Sequence, residues 1–144
     1  MVKNILFVCK HNIFRSRAAE EFFKKFNKNK KYRARSAGMM KWHKRDLDKD
    51  RGYAAEKKVA KEFGINLKVE SKSLDSAILK KTDIIVITAD DVPASMFKEN
   101  LFKMKLIVWK IRDVKVGDKN KEEIARKILR DIEIKVGKFV RDLK

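Results

Sequence analysis

Three short apolar runs constrain this chain more than any other feature. Ile5-Leu6-Phe7-Val8, Asp83-Ile84-Ile85-Val86-Ile87-Thr88 and Leu106-Ile107-Val108-Trp109 show no polar alternation. That is the pattern of strands buried on both faces. Segments of helical spacing separate them. Phe14, Ala18, Phe22 and Phe26 recur at every fourth residue, with Ala19 and Phe23 beside them, which predicts a helix from about Phe14 to Asn27. Ala55, Val59 and Phe63 predict another, capped by Gly64. Ile124, Ile128, Ile132, Val136 and Phe139 or Val140 predict a long final one. "ADDVPASMFKEN" reads as a loop and a short helix with Pro93 near its first turn. Tyr32 to Ser36 alternates large and charged residues, as an outer strand does, and Ser36-Ala37-Gly38 breaks the pattern. "MMKWHKRDLDKDRG" has no period and reads as a loop.

Strands alternating with helices imply an α/β fold of three layers, a parallel sheet with helices on both faces. In such sheets ligands bind outside the carboxyl ends of the strands. Cys9, Ser36, Thr88 and the segment after Trp109 fall at such ends. At 144 residues the chain is expected to form a single domain, 1–144. No linker, repeat or low-complexity tract interrupts it.

Hydrophobic residues at 44% and charged residues at 40% make this a globular composition with a heavily charged surface, not a disordered one. One cysteine excludes an internal disulfide and suits a reducing compartment. The apolar stretch in "MVKNILFVCKHN" is too short for a signal peptide, and no run has membrane-spanning length. The expectation is a cytoplasmic protein with no membrane partner. A net charge of +18 allows nucleic acid as a partner. The lysines are spread along the chain without interleaved aromatic residues, and there is no helix-turn-helix signal, so nucleic acid is not favoured. The absence of glutamine alongside abundant lysine leans instead toward a heat-adapted surface.

The stretch from Cys9 to Ser16 joins the first strand to the first helix. Such a loop turns several backbone N–H groups toward one point, and the helix dipole adds positive potential there. It is a ready oxyanion site. Cys9 begins the turn and Arg15 ends it. Arginine presents a planar fork suited to two phosphate oxygens, and the same surroundings favour the thiolate form of a cysteine, which is the nucleophile. A cysteine beneath a bound phosphorus, with an arginine beside it, is the layout of covalent phosphoryl transfer.

Cys9-Lys10-His11-Asn12-Ile13-Phe14-Arg15-Ser16 is a C-x5-R-S loop with asparagine at its fourth position. With the strand before it, "RAAEEFF" within the helix after it and "SAG" at Ser36 to Gly38, it resembles the low-molecular-weight protein tyrosine phosphatase family, which also includes thiol-coupled arsenate reductases. The resemblance implies a flavodoxin-like, four-stranded sheet of order 2-1-3-4. It implies that Cys9 attacks phosphorus to form a cysteinyl-phosphate and that Arg15 stabilises the transferring group. The loop from Lys10 through His11, Asn12, Ile13 and Phe14 to Arg15 would hold the phosphate. A late aspartate would protonate the leaving oxygen and then assist water. Asp113 matches it, with Asp118 as second choice. Asn12, Ser16 and Ser36 match the hydrogen-bonded brace beneath the loop. The substrate implied is a phosphorylated protein or a small phosphomonoester, with no cofactor.

The chain departs from the family pattern in several places. His11 stands where the typical loop has glycine, and it also looks like the arsenate reductase branch. Histidine tolerates positive φ better than most residues. The chain has no second cysteine to resolve a disulfide, so arsenate reduction would need an external thiol. Phe14 replaces a frequent second cysteine, which exposes Cys9 to over-oxidation. Asp113 is followed by Val114 rather than proline, and no tyrosines follow to wall a phosphotyrosine pocket; Trp42 is a candidate wall. A non-catalytic anion or nucleic-acid binder on the same fold is the remaining alternative. Three ligands, Cys9, His11 and His43, are too few to suggest a metal site. Asp90 and Asp91 read as helix caps, and Lys44 and Arg45 as a solvated charge run.

Overall fold

The computed structural model describes residues 1–40, 51–67, 71–100 and 104–144; Trp42, His43, Lys44 and Arg45 lie outside them. Along the chain run β1 (Lys3–Cys9), α1 (Arg15–Phe26), β2 (Tyr32–Gly38), α2 (Arg51–Glu62), α3 (Ser76–Lys80), β3 (Ile84–Ile87), a 3-10 helix (Ala94–Asn100), β4 (Lys105–Val108) and α4 (Lys121–Asp142). The four strands form one parallel sheet of order β2-β1-β3-β4, the order that the family resemblance implies.

Strand periodicity sends alternate β1 side chains to opposite faces. Ile5 and Phe7 join one core layer with Phe22 and Phe23 of α1, Val59 and Ala60 of α2, and Ile128, Leu129, Ile132 and Val136 of α4. Phe7 sits among the rings of Phe23, Trp109 and Phe139, with centroids 6.0 to 6.3 Å away. Leu6 and Val8 join the other layer, with Ile85, Ile87 and Phe97 and the partly buried Ile78 and Leu79 of α3. The sheet is thus covered on both faces. α2 ends as expected: Gly64 takes φ 73°, and the N–H groups of Gly64 and Ile65 return to the carbonyls of Lys61 and Ala60.

The structure departs from the sequence pattern at three places. The Ser36-Ala37-Gly38 segment does not end β2; it pairs with Phe7, Val8 and Cys9 to the end of the ladder. Register with β1 outweighs the low strand preference of glycine. The five-residue α3, held by the Asp75 side chain accepting from the Ile78 N–H at 2.7 Å, is too short to show a period in the sequence. The short helix after Pro93 is 3-10 rather than α.

Candidate active site

Cys9 lies buried at the carboxyl end of β1, beside the topological switch where β2 and β3 flank it. The chain then turns through Lys10–Phe14 into α1. Ile13 and Phe14 are buried in the α1 core layer, which anchors that half of the loop. The other half is clamped by backbone: the N–H groups of Met39 and Met40 donate to the carbonyls of Cys9 and Lys10 at 3.0 and 2.9 Å. Gly38 packs directly against the turn. A Cβ placed there would meet Asn12 N and His11 C at 2.7 Å and Lys10 O at 3.0 Å.

Asn12 is the centre of the loop. It is fully buried and takes φ 56°, the only positive φ outside glycine among the described residues. That corrects the sequence reading, which looked for such strain at His11. In this conformation the Asn12 N–H donates to Cys9 Sγ at 3.2 Å. Its Nδ2 donates to Ser16 Oγ at 2.7 Å, and its Oδ1 accepts from the Lys72 N–H at 3.1 Å. Ser16 Oγ lies 3.0 Å from Cys9 Sγ. The Ser71 hydroxyl donates to the His11 carbonyl at 2.5 Å. Two directed polar groups therefore converge on the sulfur. Ser36, matched to this brace by sequence, takes another path: its hydroxyl donates to Glu20 of α1. It supports the seating of α1 on β2 instead of the loop.

Arg15 is buried to 1% exposure in the first turn of α1. Its Nη1 donates to the Ile111 carbonyl at 2.9 Å and lies 3.5 Å from Asp90 Oδ1. Its Nη2 lies 3.0 and 3.3 Å from the two oxygens of Asp91, and 3.5 Å from Asp113 Oδ2. Asp113 is thus brought to the arginine. Asp90 and Asp91 are not helix caps; their carboxylates orient Arg15. Their place just past the carboxyl end of β3 was the signal that could have found them. The Ile111 carbonyl, which also accepts the Asp90 N–H at 2.9 Å, has no side-chain signature at all.

Asp118 is turned elsewhere. It accepts from the Lys115 N–H at 2.7 Å and from Arg112 Nη2 at 2.6 Å. These bonds, the backbone one first, hold its carboxyl below the usual range. A carboxylate so held is a poor proton donor near neutral pH. His11 faces Lys10, Arg15, Asp91 and Asp113; burial first, and then Lys10, pushes its imidazole below the ordinary 6.5, with the two aspartates opposing. Among the described residues, no group of three His, Cys, Asp or Glu is arranged to hold a metal ion, and no helix is long and apolar enough to cross a membrane.

A family model described as low molecular weight phosphotyrosine protein phosphatase matches residues 4–144. No curated protein matches the chain. Among solved structures, an arsenate reductase from Archaeoglobus fulgidus is 26% identical with a TM-score of 0.68, covering 96% of this chain and 99% of its own. A low molecular weight protein tyrosine phosphatase from T. tengcongensis is 24% identical with a TM-score of 0.68, covering 98% and 99%. The YwlE arginine phosphatase from Geobacillus stearothermophilus is 20% identical with a TM-score of 0.74, covering 96% and 91%. At these lower identities the last two likenesses are of fold.

Proposed function

We propose, from the premise that the chain belongs to the low molecular weight phosphotyrosine protein phosphatase family, that it hydrolyses phosphomonoesters through Cys9. The observation carrying this reading is the convergence of the Asn12 N–H and Ser16 hydroxyl on Cys9 Sγ, at 3.2 and 3.0 Å, in a loop whose end holds the buried Arg15. The loop N–H groups and the N-terminus of α1 bind the phosphoryl oxygens. The Cys9 thiolate attacks phosphorus, the P–O bond to the leaving group breaks, and Asp113 gives that oxygen its proton. Water then attacks the cysteinyl-phosphate, Asp113 takes its proton, and sulfur leaves as thiolate stabilised by Ser16 and Asn12. Arg15 stabilises charge on the equatorial oxygens of both transition states. A reducing compartment such as the cytoplasm keeps Cys9 in the form that this cycle needs.

Phosphotyrosine-like aryl esters on a protein are the favoured substrates, and the carboxylates of Asp90, Asp91 and Asp113 around Arg15 make a phosphoguanidine worth including beside them. The test is hydrolysis of an aryl phosphate without added metal by wild type, Cys9→Ser and Asp113→Asn. Cys9→Ser is expected to abolish turnover. Asp113→Asn is expected to slow an alkyl phosphate about 10²- to 10⁴-fold and an aryl phosphate less, because a good leaving group needs its proton less. Equal slowing of both esters would remove Asp113 as the acid.

The likeness to the Archaeoglobus fulgidus arsenate reductase supports a second reading, arsenate reduction with an external thiol. The single cysteine leaves the second thiol to a co-substrate. Consumption of thiol on addition of arsenate would establish it; arsenate acting only as a competitive inhibitor would exclude it.

A further inference from the structure

Arg17 is a second arginine in the first turn of α1, only 3% exposed, and neither the fold nor the reaction above uses it. The turn carries Arg15 and Arg17 and no acidic residue, at the end of a helix where the dipole disfavours cations. No side chain caps that end. Arg15 is offset by Asp90, Asp91 and Asp113. Among the described residues Arg17 has no ion pair. Its Nε donates to the Asn12 carbonyl at 3.2 Å, and its Nη2 is buried with no hydrogen-bond partner. A guanidinium buried without a counter-ion is costly, and the chain keeps it directly behind the residue that shapes the loop.

Asn12 connects the two. Its carbonyl receives Arg17, and its N–H contacts Cys9 Sγ at 3.2 Å. With φ at 56°, Asn12 holds a left-handed geometry that asparagine tolerates and most other side chains do not. The charge balance points the same way. A phosphate dianion entering beside Arg15 meets a guanidinium already shared among three carboxylates, so a further positive charge near the loop adds to what Arg15 supplies.

We propose that Arg17 is a positioning residue of the oxyanion loop: its Nε fixes the Asn12 carbonyl so that the Asn12 N–H stays on Cys9 Sγ, and its uncompensated charge is balanced when the loop takes up an oxyanion. The inference rests on the loop being an oxyanion site, as the proposed function requires.

The experiment titrates the full chain with inorganic phosphate, by calorimetry, in wild type, Arg17→Met, Arg17→Lys and Lys138→Met, and records each ligand-free melting temperature. Lys138→Met removes an exposed cation of α4 and controls for net charge. Arg17→Met is expected to bind phosphate about tenfold more weakly, the scale of one lost charge-assisted hydrogen bond. Its ligand-free melting temperature is expected to match or exceed that of wild type, because a buried charge has been removed. Arg17→Lys keeps the charge and loses the fork, and is expected to bind about threefold more weakly. Lys138→Met is expected to bind as wild type does. A folded Arg17→Met that binds phosphate within twofold of wild type overturns the inference, whatever its melting temperature. If Arg17→Met does not fold, Arg17→Lys decides: a loss near threefold supports the role, and unchanged affinity overturns it. Wild type that binds no phosphate overturns the oxyanion reading and this inference together, whereas equal binding by wild type and Arg17→Met overturns this inference alone.

Discussion

Gly38→Ala is the substitution whose effect the structure sizes most directly. Gly38 pairs with Cys9 at the end of the β1–β2 ladder, and its N–H and carbonyl are both engaged, by the Lys72 carbonyl at 2.7 Å and the Leu74 N–H at 2.9 Å. The strand therefore cannot swing away freely. A Cβ there meets Asn12 N and His11 C at 2.7 Å, both backbone atoms of the loop after β1, where ordinary contact begins at 3.4 Å. The loop or the strand must retreat by about 0.7 Å. Overpacking of this kind costs about 1–3 kcal/mol, which for a chain of this size lowers the melting temperature by roughly 3–10 °C. The same retreat moves the Asn12 N–H relative to Cys9 Sγ. A displacement near 1 Å at reacting groups costs about 10²-fold in rate, so kcat/KM for an aryl phosphate is expected to fall about 10- to 100-fold. Gly137→Ala is the matched control. A Cβ at that position in α4 meets only Arg141 Nη1, at 3.6 Å, and a glycine inside a helix gains about 0.5–1 kcal/mol on becoming alanine. Steady-state kinetics and thermal melts of both variants decide the matter. Gly38→Ala with wild-type melting temperature and kcat/KM within twofold would refute the view that backbone proximity at Gly38 holds the loop.

Asn12 and His11 give two further tests. Asn12→Ala loses one buried and one half-buried side-chain hydrogen bond and places alanine at φ 56°, so chemical denaturation is expected to show a loss of about 3 kcal/mol or more. Asn12→Gly relieves the strain and not the lost bonds, and is expected to recover roughly 1 kcal/mol; alanine as stable as glycine would remove the strain at this position. For His11, the folded state holds the imidazole below its usual 6.5, so the unfolded chain binds the proton first as pH falls. The stability from neutral His11 is present above about pH 6.5 and is lost as pH falls through the depressed value. The melting temperature of wild type is therefore expected to drop more than that of His11→Gln between about pH 7.5 and 5; parallel curves would exclude the effect.

The sheet was readable because its strands are apolar on both faces, and a run such as Ile84 to Ile87 admits few other environments. α1 and α4 were readable because their apolar stripes persist over several turns. The C-x5-R-S loop was readable because Cys9 and Arg15 sit at a strand end and a helix start. What escaped is carried by backbone or by distance in sequence. Gly38 looked like a pattern break because its importance is a missing Cβ, which no propensity reports. Ser71 and Lys72 reach the loop through a hydroxyl on the His11 carbonyl and a backbone N–H on Asn12 Oδ1, from some sixty residues away in the chain. Ser36 was drawn to the brace by its position in a motif, and Glu20 claims its hydroxyl instead. Asp90 and Asp91 resembled caps because a pair of aspartates before a short helix usually serves that role. Only the fold shows that Arg15, at the end of the loop after β1, lies across from them.

The charges at this site run against those of the chain. The protein carries +18, which draws anions toward it from a distance. At the mouth, though, the side chains of Asp90, Asp91 and Asp113 are 45%, 38% and 30% exposed and face the one guanidinium expected to grip phosphate. Long-range attraction and local selection are therefore set by different residues. Surface lysines raise the encounter rate of any anion and are screened by salt. On the proposed reading the carboxylates would discriminate at close range, disfavouring a second negative charge near the phosphoryl group and favouring a leaving group that is neutral or cationic. On the proposed reading, the positive potential around the phosphoryl group comes from Arg15 together with the loop N–H groups, the N-terminus of α1 and the buried Arg17. If the proposed roles hold, reducing the surface charge changes how fast substrate arrives, while changing Arg17 changes how tightly the loop holds what has arrived.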